Sequence, residues 1–221
     1  MNDHEKMEHY IEQLLPKREG ILAEMEEVAK EDRVPIMEQT GLSAMLQMMT
    51  LHHPKRILEI GTAIGYSSLR MVDALPDATV VTIERDQERL KQAQMYHKQA
   101  HVDNKITIVE GDALDVAEEV KELGPFDALF IDAAKGQYER FFELYEPMVK
   151  EGGVIYSDNI LFKGLVAGTQ TPEKKRMETM VKRLQTYNET RMKDTRLQSM
   201  IYPIGDGLMV SVKKNDQEGL V

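Results

Sequence analysis

Residues 56–71 read RILEIGTAIGYSSLRM, and this stretch decides the fold. Ile57, Leu58 and Ile60 form a short apolar run with little alternation. That pattern belongs to a strand buried on both faces, as in a parallel sheet. Gly61 and Gly65 bracket a turn, and residues 66–71 read as helix. A strand, a glycine turn and a helix in this order let backbone N–H groups and a helix N-terminus approach a ligand closely. The G-x-x-x-G spacing differs from the dinucleotide fingerprint, and no Lys-Ser/Thr ending marks a phosphate-binding P-loop. Glu59 precedes the first glycine, where its carboxylate is placed to meet a cation.

Downstream, Pro76-Asp77-Ala78 turns the chain into a β-branched strand over residues 79–83 that ends at Glu84. An acid at the end of the second strand, about 20 residues after the glycine turn, is placed to accept hydrogen bonds from ribose hydroxyls. Residues 87–100 read as a polar helix. On it, His97 and, just beyond, His101 are four apart without a third ligand, which favours a solvated face over a metal site. A third strand, residues 105–110, leads into Gly111-Asp112-Ala113, where a backbone N–H and the Asp112 carboxylate are placed to meet an adenine edge. Residues 114–123 read as helix, broken by Gly124-Pro125. A fourth strand, 126–131, ends at Asp132 with Lys135 close behind. Helix 137–149 and strand 154–156 follow, the latter ending at Asp158-Asn159. A long basic helix over 172–193 precedes two last strands, 200–204 and 208–213, joined by Gly205-Asp206-Gly207.

Upstream lie two helices, residues 3–15 and 19–32, separated by Pro16. An extended segment at Val34-Pro35-Ile36-Met37 and a Met-rich helix over 38–51 complete this part. The expected architecture is α/β: a doubly wound, mostly parallel, seven-stranded Rossmann-like sheet with N-terminal helices. One domain is expected, with residues 1–52 as a helical cap and 53–221 as the core. The cap covers the sheet or forms a partner interface, and a homodimer is expected.

The chain has 221 residues and no cysteine, so disulfides and thiolate zinc sites are excluded. No apolar run approaches the ~20 residues that span a bilayer, and the charged start MNDHEKMEHY has no apolar signal region. No membrane association and a cytoplasmic location are expected. The net charge of −10 argues against generic nucleic-acid binding. Residues 163–200, however, carry nine basic side chains against four acids, a local +5 that leaves −15 for the rest. Such asymmetry fits either a solvated helical face or a site for a polyanion.

Five acids fall at successive strand ends: Glu59, Glu84, Asp112, Asp132 and Asp158. Clustered carboxylates repel, and a cation relieves that repulsion. Asp132, Asp158 and Asn159 offer three oxygen ligands, a set that suits Mg²⁺, with Mn²⁺ or Ca²⁺ as alternatives, over zinc.

The segments VPIMEQTG (34–41), LEIGTAIGYSS (58–68), TIERD (82–86), GDA (111–113), FIDAAKGQY (130–138), GGVIYSDN (152–159) and GDGL (205–208) together resemble the metal-dependent O-methyltransferases, the group containing catechol and caffeoyl-CoA O-methyltransferases. Within that group the chain looks most like the bacterial tRNA 5-hydroxyuridine methyltransferases, including the segment DNILFKGLV. The resemblance implies S-adenosylmethionine (SAM) contacts at Met37, Glu59, Gly61, Ser67, Glu84, Asp112, Ala113 and Asp132. It implies metal ligands at Asp132, Asp158 and Asn159, and a catalytic base at Lys135. It further implies Mg-dependent methylation of the 5-hydroxyl of 5-hydroxyuridine at the tRNA wobble position, giving 5-methoxyuridine. The alternative is a small catechol or caffeoyl-CoA type of substrate. On the tRNA reading the anticodon arm is the partner, held by Lys163, Lys174, Lys175, Arg176, Lys182 and Arg183.

Overall fold

The computed structural model describes residues 3–172 and 174–215, with only the backbone described for residues 3–5. Among the described residues, seven strands form one sheet: β1 (Arg56–Ile60), β2 (Thr79–Glu84), β3 (Ile106–Glu110), β4 (Phe126–Ile131), β5 (Val149–Ser157), β6 (Leu197–Tyr202) and β7 (Leu208–Lys213). Their order is β3-β2-β1-β4-β5-β7-β6. The first five are parallel, and β7 lies antiparallel between β5 and β6. The chain winds outward from β1 to β3 and then returns to the other side of β1 with β4. That reversal opens a crevice beyond the carboxyl ends of β1 and β4, where ligands of such sheets bind.

Among the described residues, eight α-helices accompany the sheet: α1 (Asp3–Leu14), α2 (Ile21–Glu31), α3 (Gln39–His52), α4 (Tyr66–Ala74), α5 (Gln87–Gln99), α6 (Ala117–Glu122), α7 (Tyr138–Tyr145) and α8 (Lys175–Lys193). Successive strand residues point to opposite faces. Ile57, Val80, Phe130 and Tyr156 pack with Met25, Met45, Leu69 and Tyr96 of α2 to α5. Leu58, Ile60, Leu129, Ile131 and Ile155 pack with Val120, Phe142 and Tyr187 of α6 to α8. Both faces are covered, which is why the central strands read as unbroken apolar runs. The cap helices α2 and α3 thus share a core with one sheet face, and Gly205 N–H donates to Glu8 Oε1 of α1 at 2.7 Å. α1 leaves Met7, Tyr10, Ile11 and Leu14 exposed on one side.

The expected fold is present, with local differences. The helix expected over 137–149 is instead a 3₁₀ turn (Lys135–Gln137), α7 and a second 3₁₀ turn (Glu146–Met148). Pro147 lacks the N–H that an α-helix would need there. β5 therefore starts at Val149, pairs with Phe126, and shifts register before Ala128 meets Val154. α6 starts at Ala117 because Asp112 turns the chain: its side chain accepts from Leu114 N–H and its carbonyl from Asp115 and Val116 N–H. β6 occupies Leu197–Tyr202, three residues earlier than expected, and stops before Pro203. α8 begins at Lys175; Glu173, counted among the acids of that stretch, lies outside the described residues, as do residues 216–221 of the expected core domain.

Candidate active site

A cavity of about 470 Å³ opens at the carboxyl ends of β1, β2 and β4, within the size range of small-molecule sites. Met37, Gly61, Ser67, Glu84, Asp112, Ala113, Asp132, Lys135 and Asn159 all line it. One bowl therefore gathers nine residues spread over more than 120 positions of sequence.

At one end the backbone holds the acids in place. Glu84 Oε2 accepts from Ala63 N–H at 2.7 Å, while Oε1 accepts from Arg85 and Asp86 N–H at 2.9 and 2.8 Å. Its carboxylate thus ties the glycine turn to the end of β2. Asp112 Oδ1 accepts from Leu114 N–H and Oδ2 from Arg85 at 2.9 Å. The Leu114 amide, helped by Arg85, holds the Asp112 carboxyl below its usual range. Gly61 has φ +108°, and a Cβ there would lie 2.1 Å from the Asp132 carbonyl oxygen, so the turn tolerates no side chain. Glu59 does not line the cavity. It is fully buried, and its carboxylate accepts from Ser67 Oγ and from Thr82 Oγ1, the latter at 2.6 Å. Burial pushes the Glu59 carboxyl up to about 7. Its link to the cavity runs through Ser67.

At the other end Asp132 and Asp158 continue β4 and β5. Asp132 N–H donates to Ile60 O at 3.0 Å and Asp158 N–H to Ile131 O at 3.1 Å, so the two acids sit on adjacent strands. Burial pushes Asp132 up to about 6, with Lys135 opposing, and pushes Asp158 well above the usual range, with Asp132 adding to the effect. Asp158 is 2% exposed and does not line the cavity. Asn159 adopts a left-handed φ of +59°, which asparagine tolerates better than most residues. Its Nδ2 donates to Asp158 Oδ2 at 2.5 Å, and its Oδ1 accepts from Lys135 Nζ. Two desolvated, mutually repelling carboxylates and an amide oxygen are what a hard divalent cation binds. The Lys135 ammonium supplies positive charge to the same cluster. Among the described residues no group of three His, Cys, Asp or Glu side chains is placed to hold a metal ion, and the oxygens this cluster offers are two carboxylates and one amide.

Residues 13–214 match the family model described as O-methyltransferase. The chain belongs to the O-methyltransferase family. It is 34% identical over 182 residues to a caffeoyl-CoA O-methyltransferase of Populus kitakamiensis, covering 79% of this chain and 75% of that one. It is 32% identical over 174 residues to a catechol O-methyltransferase of Niastella koreensis, covering 76% and 79%. A crystal structure from Staphylococcus aureus, provisionally named a caffeoyl-CoA O-methyltransferase, superposes with a TM-score of 0.87 at 35% identity, covering 93% and 98%.

The six basic residues assigned to the anticodon arm lie outside the cavity of this O-methyltransferase. Lys163, Lys174, Lys175, Arg176, Lys182 and Arg183 are all exposed. Arg183 NH1 donates to Gly136 O at 3.0 Å, which sets α8 beside the turn that carries Lys135. Lys163 N–H donates to Asp206 Oδ1 at 2.5 Å, pinning the loop after Asn159 to the 205–207 turn.

Sequence reasoning gave no role to several wall residues: Tyr66, Arg85, Arg89, Gln137 and Phe141. Nor did it single out Phe162, whose ring lies 5.6 Å from Lys135 Nζ. Arg85 carried a signal, its position directly after the strand-end acid Glu84, whereas the others are ordinary helix and loop residues in sequence. His97 also departs from expectation. It is neither on a solvated face nor beside a metal ligand, but is 2% exposed behind Gly65, while His101 is exposed.

Proposed function

We propose that this O-methyltransferase takes its methyl group from SAM and places it on one of two neighbouring oxygens of a planar substrate, beside a divalent cation, Mg²⁺ first, held by Asp132, Asp158 and Asn159. The observation that carries this reading is the shared cavity. Glu84 and Asp112 line one end, Asp132, Asn159 and Lys135 line the other, and Asp158 stands just behind them, bonded to Asn159.

Glu84 receives the ribose hydroxyls, and Asp112 with the Ala113 N–H receives the adenine edge. Met37, Gly61 and Ser67 shape the walls between. SAM supplies an electrophilic methyl on a sulfonium, so no covalent intermediate with the protein is needed. Asp132, Asp158 and Asn159 would hold the cation, which would supply Lewis-acid stabilisation of the ionised substrate hydroxyl. Lys135 Nζ, beside Asn159, is the group placed to take the hydroxyl proton, and it does so as the neutral amine, after its own proton has passed to solvent. Phe162 offers a flat apolar surface next to Lys135 for the substrate ring. Fixing the oxygen against the methyl carbon supplies much of the rate gain.

The names of the relatives favour a small catechol or caffeoyl-CoA type of acceptor. A specific observation favours a second reading, 5-hydroxyuridine at the tRNA wobble position: α8 carries exposed basic residues beside the mouth, anchored by Arg183 on Gly136. 5-Hydroxyuridine presents the same oxygen pair, its 5-hydroxyl and 4-carbonyl, and a loop base can be splayed into a pocket. The homodimer belongs to the same proposal, with the exposed face of α1 as its contact and sedimentation as its check.

Methylation of 3,4-dihydroxybenzoate is to be compared with methylation of hypomodified tRNA carrying 5-hydroxyuridine. Transfer to the first alone supports the small-molecule reading, and transfer to the second alone the tRNA reading. Transfer to neither, by protein that binds SAM, contradicts the proposal.

A further inference from the structure

His97 lies outside the cavity yet touches the turn that shapes it. It sits in the last turn of α5 and is 2% exposed. Its Nε2 is 3.3 Å from the Gly65 carbonyl oxygen and 3.1 Å from Ser68 Oγ. Ser68 Oγ donates to that same carbonyl at 3.1 Å, and so does Leu69 N–H at 3.1 Å. A carbonyl only accepts, so its bond to the imidazole requires the hydrogen on Nε2. Burial lowers the His97 pKa, which keeps the ring neutral.

Behind the carbonyl the space is full. A Cβ on Gly65 would lie 2.4 Å from His97 Nε2 and 3.1 Å from Ala93 Cβ. In front of it, Gly65 N–H donates to Thr62 O at 2.8 Å and closes the turn, while Gly61, Thr62 and Ala63 face the cavity. The imidazole, the Gly65 carbonyl, the turn and the cavity wall are therefore in continuous contact. Ala63 N–H on Glu84 fastens the inner side of the same turn.

We propose that His97 is a positioning residue for the methyl-donor site: by holding the Gly65 carbonyl from behind, it fixes the turn whose inner face receives SAM. The proposal rests on the SAM reading above. It differs from a purely structural role, in which a core histidine would merely fill space between α4 and α5.

SAM and S-adenosylhomocysteine binding are to be measured by calorimetry on wild type, His97→Leu and His97→Gln, with thermal unfolding of each. Leucine fills the volume without a donor, whereas glutamine carries an N–H with comparable reach. Loss of one buried hydrogen bond is expected to weaken both ligands about 5–20-fold in His97→Leu. Glutamine is expected to restore affinity to within about 3-fold, while the two variants unfold within about 3 °C of each other. Ser68→Ala added to His97→Leu should cost less than it does alone, because the Ser68 Oγ contact with His97 Nε2 is already gone. Wild-type affinity in His97→Leu overturns the proposal, as does a glutamine variant that binds as poorly as leucine at equal stability. If His97→Leu does not fold, His97→Asn, whose amide falls short of Gly65, replaces it, and wild-type affinity there is equally fatal. Wild type that binds neither ligand overturns the SAM reading itself and this proposal with it.

Discussion

At the residue scale, Glu59 shows how far a side chain can be read from its position. Sequence puts it beside the glycine turn, near a ligand. The structure buries it completely and gives its oxygens to Ser67 and Thr82. Sequence position alone does not distinguish an acid facing a cavity from one beneath it, because that depends on the register of β1 against β2. The consequence is measurable. Burial pushes the Glu59 carboxyl of the folded chain up to about 7, from an ordinary value of 4.5. Between those values the unfolded chain loses the proton first, so stability is full below pH 4.5 and falls as pH rises through 7. Free of ligands, Glu59→Gln should unfold at the same urea concentration as wild type near pH 4.5. It should be more stable by about 3 kcal/mol at pH 8. Parallel pH dependence of the two proteins in urea titrations contradicts this. Glu84 is the opposite case, since its place at the end of β2 was legible and the structure puts it on the cavity wall. Replacing it in Glu84→Ala takes away the acceptor proposed for the ribose and frees the Ala63, Arg85 and Asp86 amides. Calorimetry should show SAM binding weakened by roughly 1–3 kcal/mol, and an unchanged affinity would remove Glu84 from the site.

At the element scale, the parallel strands were the most legible part, because burial on both faces leaves apolar runs bounded by acids and glycines. β5, α6 and β6 were misplaced by three to five residues where Pro147, the Asp112 turn and Pro203 set the ends. Those boundaries depend on local hydrogen bonds that residue type alone does not fix. By sequence, Gly61 is a point of ligand approach. Its first requirement is the Asp132 carbonyl of the neighbouring strand, 2.1 Å from where a Cβ would stand. Gly61→Ala should therefore push β1 away from Asp132 and lower stability by about 2 kcal/mol or more, together with loss of SAM binding. A thermal midpoint equal to wild type contradicts that. α8 carries the substrate question. On the tRNA reading, replacing Lys174, Lys175 and Arg176 together by glutamine removes phosphate contacts. Filter binding should then show weaker tRNA affinity and a flatter salt dependence, with SAM affinity unchanged. A salt slope identical to wild type would leave those three residues as a solvated face.

At the scale of the whole molecule, the sheet order brings together what the sequence keeps apart. Glu84 ends β2, Asp132 follows β4, and Asn159 follows β5, yet all three line one cavity because β1 lies between β2 and β4 and β5 lies beyond β4. Periodicity and strand-end acids made that arrangement legible. His97 and Phe162 were not, since their roles arise from contacts between elements distant in the chain. The central claim is a methyl transfer from SAM that needs a divalent cation at Asp132, Asp158 and Asn159. The direct measurement follows labelled methyl from SAM into 3,4-dihydroxybenzoate and into 5-hydroxyuridine tRNA, in EDTA and then with Mg²⁺ or Mn²⁺ restored, for wild type and Asp158→Ala. The account predicts no transfer in chelator, recovery on adding the metal, and no recovery in Asp158→Ala although that variant still binds SAM. Full turnover in chelator, or an Asp158→Ala enzyme as active as wild type, would contradict it.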